Sequence, residues 1–572
     1  MPGYNFLKAC EDLFHSSVIE NNKISLSDDF KKLANKVKFE GTHDISIPIN
    51  WRLGESINVL KAFEGLSILY LIQKKYNANI EKGITINTDL AQGFLMSFSR
   101  NALVLNDDQE NGKKEFLYDE PEYWKLHDKL VKQKDYFNHR ITYNSTCTNI
   151  YKTKDEKFYH VHGSLNASIS QKALGVPTEE PYPNTSYADS WPIYDKACSQ
   201  FTAEELDALL NDQHGQAGTI CYSKNEYKKT DQYKANEHVG LYELHHIDDG
   251  NAPQWWDLES NGTVEKPLAG LKVLDITRII AAPTITRTLA EYGASVMRIT
   301  SPNLPDFSAV HLDTNNGKWN CELDFKKEED LKKLQALVWE ADVVVTGYRP
   351  YHLDKYGLGK EQLLKVARER GRGIIYCREN CYGWQGPWTD RIGWQQISDA
   401  CCGVSTGLAK ALGVEGAVNP ILANSDYCTG VVGAIAILQA LIERSTKGGS
   451  YVVDIAINYY NMWLVDKIGE YDEVTWKKLW ESKGRLEAKY YDNMFHMLPI
   501  FIDLLKKYSQ NLWNPNFFER RHLLDPSIDL IALKPVVQFN DIKVKPGISV
   551  PARGNGTDAP YWPKDLSVKQ VE

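Results

Sequence analysis

Apolar residues recur at Ile57, Leu60, Phe63, Leu66, Leu69 and Ile72, which is one face of a helix, so residues 56–75 are expected to form a long helix. "GITINTDL" at 83–90 has strand character, and 104–157 are polar without a regular period. Residues 158–176 are expected as strand, turn and helix. "FTAEELDALLN" (201–211) predicts a short helix with Thr202 as N-cap and Glu205 closing a capping box, and "AGTICYS" predicts a strand after it. From 245 to 267 the chain is rich in polar residues, Gly and Pro, as in a linker. Beyond it the pattern changes. Apolar runs at 271–277, 295–300, 342–348 and 373–377 alternate with helical periods at 283–293, 327–341 and over "GKEQLLKVARER". That alternation predicts an α/β fold with a doubly wound, Rossmann-like parallel sheet, in which ligands sit beyond the carboxyl ends of the strands.

A weak repeat runs through the chain. Residues 56–90 resemble 427–457: a long apolar helix, a turn containing Lys-Gly, then a strand. Placed in register, Glu55 falls opposite Asp426. At 572 residues the chain is too long for one core, so several domains are expected.

Composition narrows the function. Hydrophobic residues make up 42% and charged residues 25%, an ordinary globular balance. A net charge of −9 argues against a nucleic-acid or anionic-membrane partner. No uninterrupted apolar run has the length of a membrane span, and "MPGYNFLKACEDLF" has no secretory pattern, so a cytoplasmic location is expected, with a mitochondrial one left open. Of ten cysteines the closest group is Cys377, Cys381, Cys401 and Cys402, whose spacing suits zinc poorly; no metal is expected. The first crossover lacks G-x-G-x-x-G, which disfavours a dehydrogenase.

One carboxylate stands out. In "ILANSDYCTG" (421–430) Asp426 precedes a long apolar helix. An Asp there is commonly an N-cap, held ionised by the free amides and the positive helix end. An ionised carboxylate in a partly dry cleft is also a nucleophile toward a thioester.

"KPLAGLKVLDITRIIAAPTITRTLAEYGASVMRITSPNLPD" (266–306) resembles the opening of the class III CoA-transferases, the CaiB/BaiF family. "NNGKWNCELDF", the strand ending before "YRPYHLDKYGL", "CYGWQGPWTDRIGWQQISDACCGV" and "ILANSDYCTGVVGAIAILQALIERSTKGGSYVVDIAI" resemble later family blocks in the same order. Residues 48–100 look like a second, degenerate copy of the Asp-plus-helix segment, and two stretches within 158–227 resemble the family's small domain. The resemblance therefore implies an intrachain pseudo-dimer. A degenerate partial large-domain copy with a helical preface is expected at 1–150 and a small α+β domain at 151–250. A linker at 251–266, a Rossmann-like large domain at 267–470 and a helical C-terminal return at 471–572 follow.

It also implies that Asp426 is the catalytic nucleophile, and that CoA meets Arg278, Ile280 and Ala281 after the first strand, Arg298 at the second, and Arg349 and Lys355 after the third. Guanidinium and ammonium groups suit phosphates. CoA and acyl-CoA are then substrates, with no permanently bound cofactor, the other partner is a carboxylic acid, and a homodimer is compatible.

The sequence departs from the family pattern at Thr300, Ser301 and Ala281-Ala282-Pro283, and it has no glycine loop in the small-domain segment. Racemases of the same superfamily pair the Asp with a His, where this chain has Trp394. Trp384, Trp388 and Trp394 are expected as core or rim aromatics or as walls of an acyl pocket, and His352 as a surface residue. The function expected is CoA transfer from an acyl-CoA to a carboxylic acid. A 2-methylacyl-CoA racemase-type member and a catalytically silent acyl-CoA binder are the alternatives.

Overall fold

A computed structural model describes residues 4–106, 114–131, 135, 140–256 and 263–572. Residues 257–262 of the expected linker, and parts of the expected polar stretch (107–113, 132–134 and 136–139), lie outside the described residues.

The elements that position the site are, in chain order, α1 (Leu53–Tyr76), β1 (Glu243–Ile247), β2 (Lys272–Ile276), α2 (Ala281–Glu291) and β3 (Ser295–Thr300). They continue with β4 (Lys318–Glu322), α3 (Glu328–Glu340), β5 (Val343–Thr346), α4 (Lys360–Arg370) and β6 (Ile375–Asn380). The last are α5 (Gln395–Cys401), α6 (Asn424–Lys447) and β7 (Ser450–Ala456). The seven strands form one sheet in the order β4-β3-β2-β5-β6-β7-β1. All pairings are parallel except β1 with β7. The sheet reverses its winding between β2 and β5, the point at which crossovers leave a crevice. β3, β5 and β7 are buried along their whole length, which explains their apolar runs.

Two strands were not foreseen. β4 contains Lys318, Asn320 and Glu322, yet Lys318 is fully buried because its ammonium donates to Asp275 Oδ2 of β2 (2.8 Å) and to the Pro283 carbonyl (2.7 Å). β1 is polar because it is a half-exposed edge, and it lies before the expected linker, so the sheet takes its last strand from the segment expected as the small domain.

The small α+β unit carries the antiparallel strands Asn149–Lys152, Phe158–Val161 and Gly218–Ile220 over a core that includes Tyr143, Tyr151, Tyr159 and Tyr194. The Thr202/Glu205 capping box is present, although the regular helix is only Ala203–Asp207. The C-terminal stretch does more than return as helix. Phe518–His522 and Ile528–Leu533 pair with Ala102–Leu105 and Lys114–Leu117 in a four-stranded sheet, and Val537–Phe539 pairs with Ile84–Asn87.

α1 and α6 pack together at the centre, bridged by the Gln439–Ser67 hydrogen bond (3.2 Å). α6 has the length and hydropathy of a membrane span, but 94% of its most apolar stretch is buried in protein, so it is a core helix. It also lies unusually close to α2. A Cβ at Gly430 would collide with Thr284, and one at Gly433 with Ile285. These glycines set the start of α6 beside the start of α2.

Candidate functional site

Asp426 is the third residue of α6, and the N-cap position belongs to Ala423, which offers no side-chain cap. The capping role expected for Asp426 is therefore not made. Among the described residues nothing hydrogen-bonds to its carboxylate, which is partly open to two adjoining cavities. Its helix is locked by the next residue: Tyr427 OH donates to Asp313 Oδ2 (2.7 Å), which pairs with Arg287 of α2 (2.7 Å). Beneath it, buried Asp399 of α5 accepts from Ser425 Oγ (2.7 Å), Asn461 Nδ2 (2.8 Å) and Gln395 Nε2 (3.1 Å).

These surroundings reverse the expected electrostatics. Burial, and then the Asp399 charge, push the Asp426 carboxyl up to about 8. Glu379, at the end of β6, lines the same cleft, and burial followed by the Asp426 charge pushes its carboxyl well above the usual range. The Asp426 charge therefore opposes ionisation of Glu379 in the same cleft. Nothing in the sequence pattern singled out Glu379; only the placement of β6 beside α6 does.

The larger cavity is a cleft of about 450 Å³ beyond the carboxyl ends of β2, β5 and β6. Arg278, Ile280, Ala281 and Arg349 line it together with Asp426. Arg278 donates to the Pro305 carbonyl (3.0 Å) and lies over the Tyr348 ring. Between Arg278 and Ile280, Ile279 has φ +71°, a strained backbone for a β-branched residue, at the wall of the cleft. α2 begins here without a side-chain cap, which leaves its first amides available to an anion.

Two expected CoA contacts are placed elsewhere. Arg298 is 1% exposed and bonds Asp306 (3.0 Å), Asn315 (3.0 Å) and Asn555 (3.1 Å), so it holds the core together. Lys355 is exposed outside the cleft, beside Tyr356. Arg391, which no motif flagged, lines the cleft while paired with Asp207 (2.9 Å). His352 is exposed at the cleft margin.

The second cavity, about 140 Å³, meets the first at Asp426, Ile280 and Trp394. Trp394 is the one member of its tryptophan group on this wall. Its indole N–H donates to Ser164 Oγ (3.2 Å) and its ring stacks on His162 at 5.6 Å. His162 and Ser164 come from the loop after the small unit's Phe158–Val161 strand, so the site lies between the large sheet and the small unit of one chain. The four cysteines of the expected group are free, as are the other six, and Cys381 lines the cleft. Cys428 is fully buried in the core.

Glu55 is the third residue of α1, as the internal repeat expects, but its setting is different. It is fully buried and accepts from the hydroxyls of Tyr4 and of Tyr471 (2.7 Å), with Arg52 at 3.4 Å.

Comparison with known proteins gives one consistent result. The model of the family described as CoA-transferase family III matches residues 268–485. An acetyl-coenzyme A transferase, nodX, of Hypoxylon pulicicidum is 44% identical over 569 residues, 98% of this chain and 94% of that protein. An acyl-CoA transferase of Gibberella moniliformis (strain M3125 / FGSC 7600) is 29% identical over 430 residues, 72% of each chain. Human succinyl-CoA:glutarate CoA-transferase is 32% identical over 203 residues, 33% of this chain and 44% of that protein. All three bear transferase names, which favours neither a racemase nor a silent binder.

Proposed function

This chain belongs to CoA-transferase family III and is an enzyme that transfers CoA, and we propose that it does so between two carboxylic acids through covalent intermediates on Asp426. The ionised Asp426 oxygen adds to the carbonyl carbon of an acyl-CoA. The C–S bond breaks, leaving an acyl-aspartyl anhydride and the CoA thiolate. The thiolate attacks the aspartyl carbonyl, releasing the first acid as its carboxylate and forming an aspartyl-CoA thioester. A second carboxylate then displaces the thiolate, and the thiolate takes that acyl group, which restores the Asp426 carboxylate. No proton is gained or lost over the cycle.

One observation carries this proposal: among the described lining residues Asp426 is the one carboxylate common to the arginine-bearing cleft and the apolar cavity, and it is unbonded. A nucleophile needs a free lone pair, and anhydrides and thioesters survive where water is scarce. Arg278 and Arg349 would hold the CoA phosphates, and the amides that open α2 add donors. Glu55, sealed by two tyrosines and Arg52, supports one working site per chain, built inside a pseudo-dimer. A homodimer would bring two such sites, each complete within its own subunit.

Incubation with acyl-CoAs, trapping with hydroxylamine and peptide mass spectrometry tests this directly. A hydroxamate on the peptide containing Asp426 is expected; transfer that proceeds with no modification of that peptide would overturn it.

A further inference from the structure

The cavity on the far side of Asp426 from the arginines has its own chemistry. Phe307, Val310, Trp394, Met494, Phe495 and Leu498 give it an apolar wall, and among the described lining residues it has no Lys or Arg. Among those residues the titratable side chains besides Asp426 are Tyr118 and His162, and the His162 Nε2 is engaged with Gln396 Oε1 (3.3 Å) while its Nδ1 accepts from the Ser164 amide (2.9 Å). At about 140 Å³ it is the size of an apolar cavity that takes a benzene ring.

It adjoins a further cavity. Tyr118, Ser145, Phe307 and Phe495 also line a third, more open cavity of about 480 Å³. Arg140, the one arginine among its described lining residues, is bidentate to Asp128 at 2.9 and 3.0 Å and lies over the Trp124 ring, so its charge is already matched. Among the described lining residues of the two cavities, a second carboxylate on a bound acid finds no unpaired lysine or arginine, and in the apolar one it would lose its water as well.

We propose that the acid exchanged at Asp426 is a monocarboxylic acid with an apolar body of at least aromatic-ring size, its tail following this passage, and not a dicarboxylic acid. This rests on the transfer at Asp426 proposed above and adds the substrate class. The C-terminal helix Met494–Tyr508 supplies three of the wall residues, so specificity is set by a segment outside the family match.

The test is a comparison of phenylacetyl-CoA with succinyl-CoA and glutaryl-CoA, reading both the trapped Asp426 adduct and kcat/KM for transfer. Phenylacetyl-CoA is expected to lead by about tenfold or more. Leu498→Arg, at a half-buried position able to tolerate a long side chain, is expected to shrink that lead at least about tenfold by supplying a cation. Equal or better kinetics with the dicarboxylic esters would overturn the substrate class while leaving the aspartyl mechanism intact. No adduct and no transfer with any of the three would instead overturn the mechanism. An unchanged preference in a folded Leu498→Arg protein would show that this wall does not select the acid.

Discussion

Glu55 and Asp426 occupy the same place, the third residue of a 24-residue helix, on two helices packed against each other, and they are in opposite states. Glu55 is tied to two tyrosines and an arginine, whereas Asp426 is bonded to nothing among the described residues. A carboxylate used as a nucleophile has to be left unsatisfied, and one used to hold a fold does not.

Asp426→Asn is expected to abolish transfer, by about 10³-fold or more, and to make the protein more stable. The sign follows from the carboxyl being pushed up to about 8 in the folded state. The folded chain keeps a proton that the unfolded chain has lost, so wild-type stability falls as pH rises from about 4 to 8 and is level above that. The difference in Tm between Asp426→Asn and wild type should widen over that interval. A variant that melts below wild type at pH 8 contradicts the unsatisfied state.

The same shift predicts a pH–rate profile. kcat/KM should rise about tenfold per pH unit below the pKa and level off above about 8, because only ionised Asp426 attacks. Glu379→Gln should keep activity within a few fold and leave the shape of this rise in place, since Gln mimics the uncharged carboxyl that burial favours. A second titration that disappears in Glu379→Gln would show that Glu379 ionises during turnover.

Arg349→Ala should raise KM for acyl-CoA by about three- to tenfold with little change in kcat, and less at high salt, since this exposed cation is screened. Arg298→Met should behave differently. It takes the guanidinium from the buried Asp306 carboxylate, leaving Asn555 and His311 beside it, and removing one partner of a buried pair costs about 3–5 kcal/mol, so the loss should appear in denaturant midpoints and not in KM.

Glu55→Gln should leave the number of trapped intermediates at one per chain and the turnover unchanged. It should lower stability by about 1–3 kcal/mol, because Arg52 and the two tyrosines lose a charged acceptor. Denaturant unfolding alongside intact-mass counting of hydroxamates checks both halves of this expectation.

The large sheet was readable from the chain because β2, β3 and β5 are buried on both faces and write that burial as runs of Val, Ile and Leu. β4 was not, because its burial is carried by paired polar side chains, Lys318 on Asp275 and Asn320 on Asn555. Asp426, Arg278 and Arg349 reach the cleft from places a sequence can mark, after a strand or at the start of a helix in a recognised block. Arg298 shows the limit of that method: it has the right place in the block, but its side chain turns inward to Asp306 and Asn555. His162, Glu379 and Met494 had no signal at all, since each reaches the site through pairings between distant parts of the chain.

Those pairings also decide how the protein is made. Thr85 bonds Asn540, 455 residues further along, where Ile84–Asn87 gains its antiparallel neighbour. At about 5–20 residues per second a ribosome takes roughly 25–90 s to cover that distance. Throughout it, that edge of Ile84–Asn87 waits without its antiparallel partner while Ala102–Leu105 still lacks Ile528–Leu533. A nascent chain with open strand edges for that long is a natural client for chaperones, and its yield in a foreign host should depend on slow synthesis at low temperature.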